Sequence, residues 1–297
     1  MNRAEARRVL KRTLPFWAVD IARGIKNYPQ RLASCISIAR NVQGRTASDR
    51  AILRSSFARA PIDMFGDFSE WREPVLLEDA EVISRGLGTF KIRGCTDDLA
   101  HVNPVNYRDL FNIILAHVDP GDTVVDAGAN IGVITTFLSK TVGAQGRVIA
   151  IEMMPDTANI LRNNIALNSL CNVTVIEKAL TEHGSEMVAA TVVPGLHGQA
   201  SIAQPHRHGL QVSTKLIQTT TLDAELAKVE KIAFLKLDIE GAEPKALLGA
   251  KEVLGRIRVI FFESWKPDGG EAGAILQASG YQIKRVDGLN FLAYLES

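Results

Sequence analysis

The chain has 297 residues, 46% of them hydrophobic and 23% charged, with a formal net charge of +1. This is the ordinary balance of a soluble globular protein, and the length is ample for one full α/β domain plus an extension, permitting one or two domains. The charge is uneven: residues 1–60 carry 13 Lys+Arg against 3 Asp+Glu, a net +10, and the remainder carries 21 against 30, a net −9. A basic arm on an acidic body makes a poor phosphate-backbone binder, so no nucleic-acid partner is expected.

Cys35, Cys95 and Cys171 lie far apart with no metal-ligand spacing, which fits a reducing compartment. The first apolar stretch, Leu14 to Ile25, is broken by Asp20, Arg23 and Gly24. It reads as neither a signal peptide nor a membrane span, and a cytoplasmic protein is expected. Residues 1–75 form a basic helical N-terminal extension in this reading, without a strand, punctuated by Pro15, Pro29 and Gly44. Residues 1–60 are expected to pack on the body, contact a protein partner or lie on an anionic membrane surface, as a basic helix with Phe16 and Trp17 does.

Residues 76–297 form the main domain. Val82-Ile83 and Thr89 to Ile92 flank a Gly-Leu-Gly turn and read as a β-hairpin over 81–93. Tyr107 to His117 is a short amphipathic helix. From Thr123 onward strands and helices alternate. Strands are expected at 123–125, 147–151, 173–176, 234–237 and 258–262, and helices at 133–140, 155–168, 243–254 and 274–279. Two closing strands at 281–286 and 291–294 complete seven. Apolar strands alternating with helices imply a doubly wound, mostly parallel sheet covered on both faces, here with an antiparallel edge. Residues 183–220 interrupt the alternation with glycines, four of the six histidines and strand-like runs at Met187–Val193 and Lys215–Thr219. In open α/β sheets ligands bind beyond the carboxyl ends of the strands, which places this insertion as a substrate lid.

The glycine turn Asp126-Ala-Gly128-Ala-Asn130-Ile-Gly132 follows the first sheet strand directly. Gly128 and Gly132 allow close backbone approach to a ligand, and the next helix offers its N-terminus. The spacing is G-x-N-x-G, unlike the dinucleotide fingerprint G-x-G-x-x-G. A carboxylate at Asp126 repels a pyrophosphate but suits a ligand with a cationic inner end, which favours S-adenosylmethionine (SAM) over NAD. Glu152, ending the second strand, is placed to accept hydrogen bonds from two ribose hydroxyls. Ala179 or Leu180 is placed to pack on an adenine.

The fourth strand runs into Lys236-Leu-Asp238-Ile-Glu240-Gly-Ala-Glu243. Asp238 and Glu240 read as a general base or as metal ligands, and Glu243 mainly as a helix N-terminal carboxylate. No metal is assigned. Glu263 sits on the same rim, with a salt bridge to Lys236 as its ordinary role. His206-x-His208 reads as solvent-exposed, and His197 is the site candidate among the insertion histidines.

Together these motifs resemble the FkbM family of methyltransferases, over about Asp97 to Glu263. The landmarks are the Pro120-to-Gly132 stretch, Glu152, Leu235 to Glu243, and Val259 to Glu263. The resemblance implies a Rossmann-like class I methyltransferase fold, SAM as donor, and O-methylation of a hydroxyl on a sugar, glycan or secondary metabolite. It carries Asp126, Gly128, Asn130, Gly132 and Glu152 over as cofactor residues and Asp238 and Glu240 as active-site residues. A non-catalytic SAM-binding or scaffold subunit is the alternative.

Overall fold

The computed structural model describes residues 16–66, 74–203 and 212–295. Residues 1–15 of the basic arm, and His206 and His208, lie outside them. Helices α1 (Phe16–Asn41) and α2 (Ala47–Gly66) flank a short strand, β1 (Val42–Gly44). Pro29, expected to punctuate the segment, lies inside α1. β1 is absent from the sequence reading because three residues are too few to show a period. Its conformation comes from pairing antiparallel with β2 (Ala80–Ser84), which in turn pairs with β3 (Gly88–Ile92). This pairing crosses the 75/76 boundary, and Ile38, Leu53 and Leu76 share one core with Val124 and Phe234.

After β3 come α3 (Asp98–His101), a 3-10 turn at Pro104–Tyr107 and α4 (Arg108–His117). The alternating stretch then gives β4 (Thr123–Ala127), α5 (Val133–Val142), β5 (Arg147–Ile151), α6 (Pro155–Leu167) and β6 (Val173–Ile176). β7 (Ala179–Leu180) precedes the insertion, which contributes β8 (Met187–Val193), β9 (Leu196–Ser201) and β10 (Ser213–Thr220). The chain returns with α7 (Leu222–Leu226), β11 (Ile232–Leu237), α8 (Glu243–Leu248), β12 (Ile257–Glu263), α9 (Gly270–Ala278), β13 (Tyr281–Arg285) and β14 (Asn290–Leu295).

Seven strands form the main sheet in the order β13-β14-β12-β11-β4-β5-β6. All neighbours from β12 to β6 are parallel, and β14 runs antiparallel to β12 and β13. Every residue of β11 is buried, as expected for a strand covered on both faces. Alternate residues divide the faces: Val124, Val148, Phe234 and Val259 pack toward the N-terminal helices and hairpin, and Val125, Ile149, Leu235 and Ile260 toward α8 and α9. The chain builds outward from β4 in one direction and from β11 in the other. The crevice between their carboxyl ends is therefore the topological switch point.

The insertion forms a second sheet with β7, ordered β7-β10-β8-β9. Two of its strands match the expected runs. β9 was missed because Leu-His-Gly-Gln-Ala-Ser lacks β-branched residues, although Pro194-Gly195 just before it carries a turn signal. Gly195 has φ +82, and Val193 pairs with Leu196 across it. The helix expected over 243–254 ends at Leu248. There a Cβ on Gly249 would stand 2.3 Å from the Thr181 carbonyl oxygen, so the backbone leading into the insertion closes over the helix end. On the opposite side Asn164 on α6 clips the edge of β3. Its Oδ1 accepts from Lys91 N–H at 2.6 Å, and its Nδ2 donates to the carbonyls of Lys91 and Ile131.

Candidate active site

A cavity of about 490 Å³ opens at the switch point. One half is walled by the glycine turn, Glu152, Met153 and Lys178 to Leu180. The other is walled by Val105 to Leu110, Phe261 and the β13–β14 turn. His101, His197, Gly198, Asp238 and Glu240 also line it. The structure thus brings Gly128, Asn130, Glu152, Ala179, His197, Asp238 and Glu240 to a single cavity.

The glycine turn is set by protein contacts. Gly128 has φ +79, and a Cβ there would meet the Asp238 carbonyl oxygen at 1.8 Å. Gly132 caps α5 with φ +91, and a Cβ there would meet the Leu161 side chain at 2.5 Å. Ligand approach, the reason expected from sequence, is thus joined by a demand from within the fold. Between the two glycines Asn130 adopts φ +48, a left-handed conformation that asparagine tolerates better than most residues. Its N–H donates to Glu152 Oε2 at 2.9 Å, and Met154 N–H donates to Oε1 at 2.9 Å. Burial nevertheless pushes the Glu152 carboxyl up, against those two bonds. Asn130 Oδ1 is buried and lacks a hydrogen-bond partner among the described residues.

Asp126 and Gly132 stand behind this wall. Asp126 is fully buried and accepts from Thr135 Oγ1 at 2.6 Å. Burial raises its carboxyl, and Lys236 and Thr135 oppose the rise. Lys236, expected from the sequence to pair with Glu263, is the hub. Its Nζ donates to the Gly128 carbonyl at 2.8 Å and lies 3.3 Å from Asp238 Oδ2 and 3.8 Å from Asp126 Oδ1. Burial opposes the lysine charge, but Asp238 and Asp126 outweigh it and hold the ammonium above the usual lysine range. The expected Lys236–Glu263 bridge is thus replaced, because K-x-D spacing on one strand and the parallel register, Lys236 opposite Asp126, place two nearer carboxylates beside the ammonium.

Glu263 instead lies beside Asp238 in an acidic cluster. Burial, Asp238 and Glu243 together push its carboxyl up to about 7. Carboxylate oxygens of Asp238, Glu243 and Glu263 lie within 4.8 Å of one another, so the acidic cluster pairs Asp238 with these residues and not with Glu240. Glu243 takes the helix-terminal role expected of it, accepting from Ile239 N–H at 2.8 Å and Gly241 N–H at 3.3 Å. Glu240 has φ +57, and its carbonyl accepts from Ser201 Oγ at 2.7 Å. The insertion therefore holds the Asp238–Glu240 loop directly.

His101 and Tyr107 also face the cavity, and sequence reading missed both. His101 lies in a segment without a periodic or motif signal, and Tyr107 reads along the chain only as the start of an amphipathic helix. Arg93 braces the His101 segment with a bidentate pair to buried Asp98, at 2.8 Å on each arm.

With this geometry the cavity can take a hydroxyl-bearing ligand against the Glu152 carboxyl group. The methyltransferase FkbM domain matches residues 126–283, more than half of the chain. Methyltransferase sdnD of Sordaria araneosa is 25% identical over 60% of this chain and 82% of its own length. Methyltransferase 1 of Beauveria bassiana is 25% identical over 55% and 74%. The 31-O-demethyl-FK506 methyltransferase FkbM of Streptomyces tacrolimicus is 27% identical over 62% and 85%.

Proposed function

The chain belongs to the FkbM methyltransferase family, and from that premise we propose that it is a SAM-dependent O-methyltransferase acting on a hydroxyl of a sugar, glycan or secondary metabolite. The observation that carries this reading is the pairing of Glu152 with Asn130. Each Glu152 oxygen accepts one backbone N–H, and Glu152 lines the cavity together with Asn130, whose buried Oδ1 lacks a partner among the described residues. A carboxylate has about four acceptor sites, so two ribose hydroxyls can still be held.

Ala179 and Leu180, both buried in the wall, offer the adenine an apolar face. Glu152, Asp238 and Glu240 bring carboxyl groups to the wall of the cavity in which a cation has to sit. SAM supplies a methyl group already activated on a positive sulfur. The protein's own contribution is then mainly positioning and exclusion of water. Asp238, Glu240 and His197 are proposed to hold the acceptor's polar groups and balance the positive charge at the rim. The name of the Streptomyces relative, a 31-O-demethyl-FK506 methyltransferase, specifies an oxygen and supports a hydroxyl acceptor.

Isothermal titration of the purified chain with SAM, and with NAD as control, tests the cofactor. Micromolar SAM binding without NAD binding is expected. A folded sample that binds no SAM would sink the reading in favour of a scaffold subunit.

A further inference from the structure

Asp97, His101 and Tyr107 form a chain of polar contacts into the cavity. Asp97 accepts from the N–H groups of His197 and Gly198 on β9 at 3.2 and 3.3 Å. The same carboxylate lies 3.6 Å from His101 Nε2. Tyr107 Oη lies 2.8 Å from His101 Nδ1. A Cβ on Gly198 would stand 2.6 Å from His101 Nε2, so β9 closes over the imidazole and leaves it little room to turn. Charge sets the direction of the contacts. The nitrogen facing a carboxylate is the one that carries the proton in the neutral ring, so the Nδ1 lone pair faces the Tyr107 hydroxyl.

Resting on the O-methylation reading above, we propose that Tyr107 and His101 remove the proton of the acceptor hydroxyl. The acceptor O–H bond breaks and its proton passes to Tyr107 Oη, while the Tyr107 proton passes to His101 Nδ1. An imidazolium is left facing Asp97. The acceptor oxygen keeps the electron pair with which it bonds the methyl carbon, and the departing sulfur keeps the pair of the bond it loses.

Two features favour this route. Asp238 is already engaged by Lys236 and Glu263. Tyr107 is a poor phenolate, since burial and the charges of Asp238, Asp97 and Asp126 push its hydroxyl well above the ordinary range; in a relay it exchanges protons without holding a charge. Burial opposes the imidazolium, but Asp97, Asp98 and Asp238 outweigh it and hold His101 above its ordinary value. Arg108 and Asp109 of α4 and His197 of β9 are further ionisable groups on the cavity wall.

The first test is a nitrogen-15 NMR titration of His101 in the full chain, without donor or acceptor. The neutral ring is expected to be protonated on Nε2, with a midpoint above 6.5 that falls in Asp97→Asn. A neutral ring protonated on Nδ1 would overturn the relay. The second test uses SAM with a tritiated methyl group and a panel of methyl glycosides and secondary-metabolite alcohols. His101→Gln and Tyr107→Phe are each expected to lower kcat about 100-fold and to remove the acidic limb of the pH–rate profile, with the Kd for SAM within about threefold of wild type. Wild-type transfer with full kcat in either variant overturns the relay alone. A wild-type chain that binds SAM but methylates none of these hydroxyls overturns the O-methylation reading and the relay with it.

Discussion

Gly128 and Asp238 meet backbone to backbone: a Cβ on the glycine would stand 1.8 Å from the aspartate carbonyl oxygen. Lys236 closes the same junction by donating to the Gly128 carbonyl. The carboxyl ends of β4 and β11 are therefore held together at the point where the strand order reverses.

Gly128→Ala combines a left-handed backbone with a clash against main chain that cannot swing away. A loss of about 2–5 kcal/mol is expected, read by chemical denaturation. Gly86→Ala is the control. It has a similar φ of +76 but nothing within 4 Å of the added methyl, so only about 1 kcal/mol is expected. Equal losses would show that conformation alone sets the requirement.

Lys236→Met leaves Asp126 buried without its counter-charge. Breaking a buried pair in this way costs about 3–5 kcal/mol. Adding Asp126→Asn is expected to restore part of it, because the uncompensated charge is then gone. Strict additivity in the double-mutant cycle would show that the two side chains do not interact.

Glu263 gives a pH dependence of unusual sign. Its carboxyl sits near 7 in the folded chain, above the ordinary 4.5, so the folded state binds the extra proton between those values. Its contribution to stability is favourable below about 4.5 and is lost as pH rises through 7. In melting curves, Glu263→Gln is expected to gain Tm relative to wild type as pH rises from 5 to 8. A constant difference over that range would remove Glu263 as the titrating group.

Glu152→Gln keeps the shape but loses one acceptor oxygen and the charge. SAM affinity is expected to fall roughly tenfold to a hundredfold, the loss of one or two hydrogen bonds to a charged group. Titration calorimetry reads this directly, and unchanged affinity would reassign the ribose contact.

The double variant Asp238→Asn, Glu240→Gln is expected to lower kcat/KM at least about tenfold through the lost rim charge. Wild-type turnover in that variant would remove both carboxylates from the reaction.

Much of this was legible along the chain. The alternation from Thr123 onward gave seven strands at nearly their observed positions, since each buried strand is a short apolar run with turn residues at its ends. The position of Glu152 on the cavity wall was legible because it depends on distance from a strand end, whereas Asn130 came only with the family resemblance. Lys236 was not: it reads as one polar residue in an apolar strand, and its importance arises only when β4 lies beside β11.

The sequence by itself determined the layered fold, the glycine turn and the acidic stretch after β11, because these follow from local periodicity and backbone freedom. Tertiary structure alone decided that Asp97, His101 and Tyr107 line up against β9, that β1 joins the hairpin, and that Asp238 meets Glu263 and not Glu240. Those relations join residues distant along the chain, and no local pattern encodes a contact that only packing creates.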